Sequence, residues 1–446
     1  MSRPWRRPSL WAPSSLIRKK MLNIFKQGHP KGLYLLFCVE MWERFSFYGM
    51  RALIVLYMIQ NLAYSAQKAG NIYGLYTGLV YLTPLIGGYL ADRFIGQRRC
   101  ISAGASFMIL GLFLLAFGPK NLFLFSLFLM IIANGFFKSN ISSVLGLLYG
   151  DDNDKKDSAF TIFYMGINLG AFFSPLVCGT LAVKFGYEYG FAAAGVGMLI
   201  GLVCYKLFEN KLLGDKGLNP VEAVKENENN EVKKDSAQNK QLASLILLMF
   251  FTIPFWVCFE QAGSSLTLFA EFQTNRNLLG FEIPTGYFQS LNPLFIITLA
   301  PLVSALWESL RKKSKEPSSV EKFSIALFLI SVSFVILAFA GHLSITGKVS
   351  PLWLVLGYFI MTFAELCLSP IGLSLVSKLA PRKFLSLIMG CWFLTSFLGN
   401  LIAGIWGGNY DSLTPAQLFG TLAILSLATF LILRIFVPGL NKVLRN

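Results

Sequence analysis

The sequence predicts an all-α membrane protein of twelve transmembrane helices arranged as two bundles of six, and three observations carry that reading. The first is composition. Of 446 residues, 54% are hydrophobic and only 14% charged, whereas roughly a quarter of the residues of a soluble protein are charged. A soluble globular enzyme of this size is excluded, as are disorder, coiled coil and collagen. The 41 Phe and 39 Gly fit a polytopic membrane protein, in which Gly lets helices pack closely in lipid. The second observation is length. Apolar stretches of about 20 residues, enough to cross a bilayer, recur near 33–58, 70–90, 101–118, 121–149, 159–183, 189–208, 243–269, 286–306, 323–341, 351–377, 384–404 and 416–437. The third is charge. The N-terminal segment, every second loop and the C-terminus, with Lys206 and Arg434 at the adjoining ends of their spans, hold 31 of the 39 Lys and Arg, and the opposite loops hold five. The positive-inside rule therefore places both termini in the cytoplasm, and the net charge of +16 reflects topology rather than nucleic-acid binding.

Along the chain, residues 1–31 hold eight basic residues and no acid. They read as a cytoplasmic tail or a transit-like segment, and Met21 offers a second start, so that 1–20 could be an upstream mis-start. Residues 32–208 form the first six-helix bundle. The charged, Asn-rich stretch 209–242 (NENNEVKKDSAQNKQ) reads as a solvated cytoplasmic linker. Residues 243–446 form the second bundle with a short cytoplasmic tail. The seven Cys lie singly, without zinc or disulfide spacing. His29 and His342 fall in predicted loops. No cofactor or metal is expected, and carboxylates must do any proton work.

Ionised side chains within a bilayer are costly unless paired or facing water, so intramembrane charge points to function. This chain has Glu40, Glu43, Arg44 and Arg51 in helix 1, Lys138 in helix 4, Glu260 in helix 7 and Glu365 in helix 10. The helix numbers differ by three. If each half contains two inverted three-helix repeats, these four helices surround one central cavity. Static ion pairs that fix packing would explain one or two such residues, and explain poorly seven confined to symmetry-related helices. In EMWERFSFYGMR, Glu40, Glu43, Arg44, Tyr48 and Arg51 fall on one side of a helix. Four Glu against three bases leaves one carboxylate uncompensated, and such a group in a low-dielectric cavity favours its protonated form. Proton coupling is therefore physically reasonable. A substrate bearing both amine and carboxylate would suit this cavity, because its ends could exchange partners with the resident charges.

These motifs resemble the proton-dependent oligopeptide transporter (POT/PTR) family of the major facilitator superfamily. EMWERFSFYG resembles its Glu-x-x-Glu-Arg-Phe-x-Tyr-Tyr-Gly signature, and GINLGAFFSP its helix 5 signature. FFKSN, FWVCFEQAGSSL, QSLNPLF and FAELCLSPIGLSLVSKLAP resemble helices 4, 7, 8 and 10, while GGYLADRFIGQRR is a loop shared by the wider superfamily. The resemblance implies a major facilitator fold and a proton-coupled symporter of di- and tripeptides in a plasma membrane, not an enzyme, functional as a monomer. It implies that Glu40, Glu43 and Arg44 form the proton-coupling cluster, joined by Glu260. Arg51 would face Glu260 and Lys138 would face Glu365, as gating salt bridges between the halves. Peptide carboxylate would go to Arg51 and Lys138, and peptide amine to Glu365 with Asn168 and Asn292. Arg44 is also placed among the substrate-binding residues, and Tyr48, Tyr81, Trp256, Ser369 and Trp392 match pocket-lining positions. For Tyr81 and the two Trp, ordinary packing is the competing reading. Asp92 with Arg93, Arg98 and Arg99 resembles the superfamily's cytoplasmic latch, with a plain solvated loop as its rival.

Two departures stand out. Phe47 occupies the position of the first Tyr of the family's Tyr-Tyr pair, which would remove a hydroxyl from the cavity. Ser139 replaces a Pro that often follows the helix 4 Lys. A charged cavity would also hold nitrate or an amino acid, and a receptor or channel could use the same fold. A membrane-embedded peptidase lacks support, since no His-Glu-x-x-His motif is present.

Overall fold

In the computed structural model, the described residues are 28–150, 153–220, 236–278, 280–379 and 385–444. The tail before Gly28 and the middle of the linker, residues 221–235, lie outside them. The helices are α1 Lys31–Gln60, α2 Ala66–Leu90, α3 Gln97–Phe117, α4 Phe123–Tyr149, α5 Asn153–Phe185 and α6 Tyr187–Leu213. The second half holds α7 in three pieces (Ser236–Phe250, Thr252–Phe259 and Ser265–Phe272), α8 Leu291–Lys312, α9 Ser319–Leu343, α10 Leu352–Leu379, α11 Leu385–Gly407 and α12 Pro415–Leu444. All twelve sequence-predicted spans are helical. Ten long segments are apolar enough to cross a membrane by composition. The two helices outside that group are α1, which carries four ionisable residues within its span, and α2, which is rich in Gly and Tyr.

Local chemistry sets the ends. Ser65 caps α2, its hydroxyl accepting from the Lys68 amide, and Ser318 and Glu321 form a reciprocal capping box at α9. Gly214 ends α6 at φ +58°, a left-handed conformation that an L side chain rarely adopts. The apolar stretches locate the membrane crossing but stop short of the helix ends. Thus α6, α8 and α12 run five to seven residues beyond them on the side of the chain termini, where polar residues continue the helix into the headgroup region. His342, expected in a loop, lies in the last turn of α9. One small non-helical element, an antiparallel pairing of Asn277–Leu278 with Phe281–Glu282, lies between α7 and α8.

Each half builds its own apolar core. One centres on Leu36, Met50, Tyr73, Phe137, Phe191 and Tyr205, and the other on Phe255, Phe269, Phe323, Phe334 and Phe419. Many large apolar residues outside these cores remain exposed, among them Phe117, Leu207, Ile424 and Ile435, as expected of a surface solvated by lipid. The halves meet on the side away from the termini, where α2 packs on α11. A Cβ on Gly404 would lie 2.4 Å from the Gly70 carbonyl oxygen, and one on Gly74 would lie 2.7 Å from that of Asn400. Only glycine permits this approach.

Candidate functional site

The polar site is assembled by three of the four helices that carry the intramembrane charges, α1, α7 and α10, together with α2, α5 and α8. It is a cavity of about 180 Å³ between the halves. Its walls include Tyr48 and Arg51 from α1, Tyr81 from α2, Asn168 from α5, Trp256 and Glu260 from α7, Asn292 from α8 and Glu365 from α10. Eight of the expected substrate-binding residues therefore share one space.

Arg51 Nη2 donates to Glu260 Oε2 at 2.6 Å, forming the expected cross-half ion pair, and Arg51 Nε donates to Tyr73 Oη at 2.7 Å. Glu260 sits where α7 breaks into a short 3₁₀ turn, Glu260–Gly263. Gln261 holds that break, donating to the carbonyls of Val257 and Ala403 and accepting from Ser265. Gly263 is required there: a Cβ would fall 1.6 Å from Tyr73 Oη. A glycine in α7 thus lets a tyrosine of α2 reach the ion pair. Further hydrogen bonds join the halves on the same side. The Ala66 amide donates to Asp411, Thr180 Oγ1 and Tyr287 Oη are 2.7 Å apart, and Ser290 Oγ donates to the Phe172 carbonyl.

The second expected pair is open in this conformation. Lys138 Nζ lies 4.5 Å from the centre of the Tyr81 ring, a cation–π contact, while Glu365 Oε2 accepts from Asn292 Nδ2 at 2.9 Å. Among the described residues Lys138 and Glu365 form no ion pair with each other. Lys138 is beside the cavity rather than in its wall. Ser139 Oγ donates to the Pro84 carbonyl and so ties α4 to α2 next to this lysine.

Arg44 also lies outside the cavity wall. Its guanidinium forks onto Glu43, with Nη2 to Oε1 at 2.6 Å, and its Nε lies 3.3 Å from Glu40 Oε1. Glu40, Glu43 and Arg44 are all buried, and Glu40 Oε2 has no hydrogen-bond partner. Phe47 sits against this cluster, with the Arg44 guanidinium 5.3 Å from its ring centre, and stacks on Tyr76. The hydroxyl that Phe47 lacks would therefore belong to the charge cluster and not to the cavity, as its sequence position had suggested.

Two further expectations are corrected. Trp392 is core: its ring fills the space over Gly372, where a Cβ would come within 2.0 Å, and packs edge-on to Phe323. Packing, the competing reading of this tryptophan, is what the structure shows, because α10 offers a glycine where the indole must go. Ser369, one turn beyond Glu365, lies outside the cavity wall, and its buried hydroxyl has no partner. Of the latch residues, Asp92 accepts from Gln97, Arg93 donates to Tyr89, and Arg98 is buried against Glu209 and the Gly214 carbonyl. Arg99 is exposed. These partners are all in the first half, so in this conformation Arg98 ties the loop to the end of α6.

Sequence reasoning missed Tyr73, Tyr164, Gln289 and Tyr358. The last three line the cavity. Tyr358 precedes Glu365 by two turns and Tyr164 precedes Asn168 by one, so helical periodicity from a known site residue would have found both. Tyr73 carried no such signal.

Residues 98–211 and 208–414 match the sequence pattern of the POT family (PTR2). The chain is 35% identical to peptide transporter YePEPT of Yersinia enterocolitica, over 86% of this chain and 88% of that protein. It is 32% identical to a di-/tripeptide transporter of Lactococcus lactis, over 94% and 97%. The fold matches a crystal structure of peptide transporter POT in complex with sulfate, with a TM-score of 0.87, 34% identity and coverage of 94% and 96%. It also matches a POT family transporter in complex with 5-aminolevulinic acid, with a TM-score of 0.86, 30% identity and coverage of 93% and 97%. With its twelve helices in the major facilitator arrangement and these likenesses spanning nearly its whole length, the chain belongs to the POT family of membrane transporters.

Proposed function

We propose that this protein is a proton-coupled symporter that imports di- and tripeptides by alternating access, in a plasma membrane (the inner membrane, if bacterial), with both termini cytoplasmic and the monomer as the working unit. The observation that carries the reading is the division of charge across the cavity. Arg51 stands on one half, and Glu260 and Glu365 stand on the other, with Asn168 and Asn292 between. A zwitterion can replace the partners of both signs at once. The names of the relatives support peptides as the substrate class, as does a structural neighbour, a mutant of peptide transporter POT, that holds alafosfalin.

In this reading the peptide carboxylate goes to Arg51, with Lys138 approaching as the halves rock, and the amine to Glu365, Asn292 and Asn168. Residues 32–208 and 243–446 are the moving halves. The Arg51–Glu260 pair and the α2–α11 glycine contact hold the halves together on the side away from the termini, which is the outer side in this reading, and the conformation is read as inward-facing. Glu40, Glu43 and Arg44 couple the proton, and Glu40 Oε2 is the carboxylate oxygen left free to take it. Glu260 is the second coupling carboxylate, released when a peptide carboxylate takes Arg51.

The test is accumulation of labelled dialanine in proteoliposomes with and without an inward-acid gradient. Uphill uptake that a protonophore abolishes, and that a tripeptide but neither alanine nor nitrate blocks, is the expected result. Competition by nitrate or alanine in place of peptide would reassign the substrate class.

A further inference from the structure

On the side of the chain termini, the α8–α9 loop, the first turns of α9 and the last third of α12 frame an open surface pocket of about 410 Å³, lined by Lys315, Glu316, Pro317, Glu321, Ile325 and Arg434. Both carboxylates in it are engaged. Glu316 accepts from Lys322 Nζ at 2.6 Å and lies 3.3 Å from Arg311 Nε, and Glu321 accepts from the Ser318 amide at 2.6 Å. Lys315 and Arg434 are the two cations of the wall with no ion-pair partner among the described residues. The two carboxylates of the wall are thus bound by groups other than its own cations, Glu316 by Arg311 and Lys322 and Glu321 by the Ser318 amide, which leaves Lys315 and Arg434 to meet an anion.

The position of Arg434 is the unusual part. It lies on the lipid-facing stripe of α12, whose neighbours on that face are Leu427, Leu431 and Ile435, the last 76% exposed. A guanidinium there must reach the headgroup layer or meet an anion, since unpaired charge against hydrocarbon is costly. Toward mid-membrane the pocket opens onto an apolar seam between α9 and α12. Phe328, one turn beyond Ile325, is exposed and packs against Phe430, with ring centres 5.4 Å apart. Cations at the headgroup level above an apolar groove are the complement of an anionic amphiphile.

We propose that this pocket binds the phosphate of an anionic phospholipid between Lys315 and Arg434, with one acyl chain lying along the α9/α12 seam over Phe328 and Leu431. A free phosphate would use the cations but not the seam, and the seam commits the site to lipid. The proposal is independent of the transported substrate, because the pocket belongs to one half and lies apart from the central cavity.

The experiment measures thermal unfolding of the full chain in neutral detergent with added phosphatidylglycerol, phosphatidylcholine or inorganic phosphate, alongside native mass spectrometry of retained lipid. Phosphatidylglycerol should raise the melting temperature and remain bound, and the other two should not. The Lys315→Gln/Arg434→Gln double variant should lose most of the shift and of the retained lipid, while Arg434→Lys keeps them. Both residues are exposed, so the variants should fold. Should the double variant nevertheless fail to fold, Arg434→Gln alone serves as the test. An equal phosphatidylglycerol shift in wild type and variant would overturn the site. So would no shift at all, or an equal shift from phosphatidylcholine. The same shift from inorganic phosphate would overturn the lipid assignment.

Discussion

Arg51 is held from two sides: Tyr73 accepts from its Nε at 2.7 Å within the same half, and Glu260 accepts from its Nη2 at 2.6 Å across the halves. In the proposed cycle, Glu260 leaves with α7 when the halves separate, and Tyr73 stays. Tyr73 then keeps the guanidinium fork aimed into the cavity, ready for a carboxylate. A hydrogen bond to a charged group contributes about 1.5–3 kcal/mol, so Tyr73→Phe should raise the peptide KM by roughly tenfold or more with a smaller change in maximal rate. The penalty should vanish for a peptide amidated at its C-terminus. An equal penalty for acid and amide would leave Tyr73 as packing only.

In the proposed mechanism the helix 1 cluster separates binding from coupling. Glu43 is fully occupied by Arg44, while Glu40 has a buried oxygen with no partner. Glu40→Gln should therefore lose gradient-driven accumulation yet retain peptide exchange across the membrane. Intact uphill uptake in that variant would remove Glu40 from the coupling step.

How far the site could be read from sequence follows from the physics of each residue. Charges in apolar spans announce themselves, because lipid makes them costly. That signal, with the three-helix repeat, put seven charges around one space, of which Arg51, Glu260 and Glu365 line it and Glu40, Glu43, Arg44 and Lys138 do not. Tyrosine gives no such signal, being as common in packed cores as in sites. Tyr73 becomes visible only when Gly263, 190 residues away in sequence, is seen to admit its hydroxyl. Trp392 failed in the opposite direction. A motif position suggested the cavity, and a glycine on the neighbouring helix made it core. The spans themselves were legible from hydrophobicity, whereas the interruption of α7 at Glu260 is tied to α11 by a long-range hydrogen bond from Gln261 to the Ala403 carbonyl.

Lys138 and Glu365 are apart here, each with a local partner. If they meet when the termini side closes, each alone is necessary and the sign of each is not. Lys138→Ala and Glu365→Ala should both impair uptake. The exchange Lys138→Glu with Glu365→Lys should recover part of what either single reversal loses, a coupling that only contacting residues show. Wild-type uptake in either alanine variant would contradict the pairing.

Arg98 and Arg99 are adjacent in sequence and differ in environment. Arg98 is buried, bonded to Glu209, Asn210 and the Gly214 carbonyl, and Arg99 is exposed. Removing one partner of a buried ion pair typically costs about 3–5 kcal/mol, while an exposed substitution stays within roughly 0.5 kcal/mol. Arg98→Ala should lower the melting temperature markedly and Arg99→Ala should leave it nearly unchanged. Similar melting temperatures for the two would show that the α6 anchor carries little stability.

The α2–α11 contact makes a prediction about state rather than stability. A Cβ on Gly404 would lie 2.4 Å from the Gly70 oxygen and 2.6 Å from Gly74 Cα, both across the boundary between the halves. In the proposed cycle, Gly404→Val therefore overpacks a surface that exists only when the outer side is closed, and leaves the core within each half alone. Overpacking costs about 1–3 kcal/mol, enough to shift a two-state equilibrium by roughly 5- to 150-fold. The variant should fold, lose uptake and expose a cysteine placed at Tyr48 to a membrane-impermeant thiol reagent from the outer side. Gly420→Val is the control, since nothing lies within 4 Å of a Cβ there. It should transport normally. If Gly404→Val transported as well as the control, the close approach of α2 and α11 would not be needed for the outer side to shut.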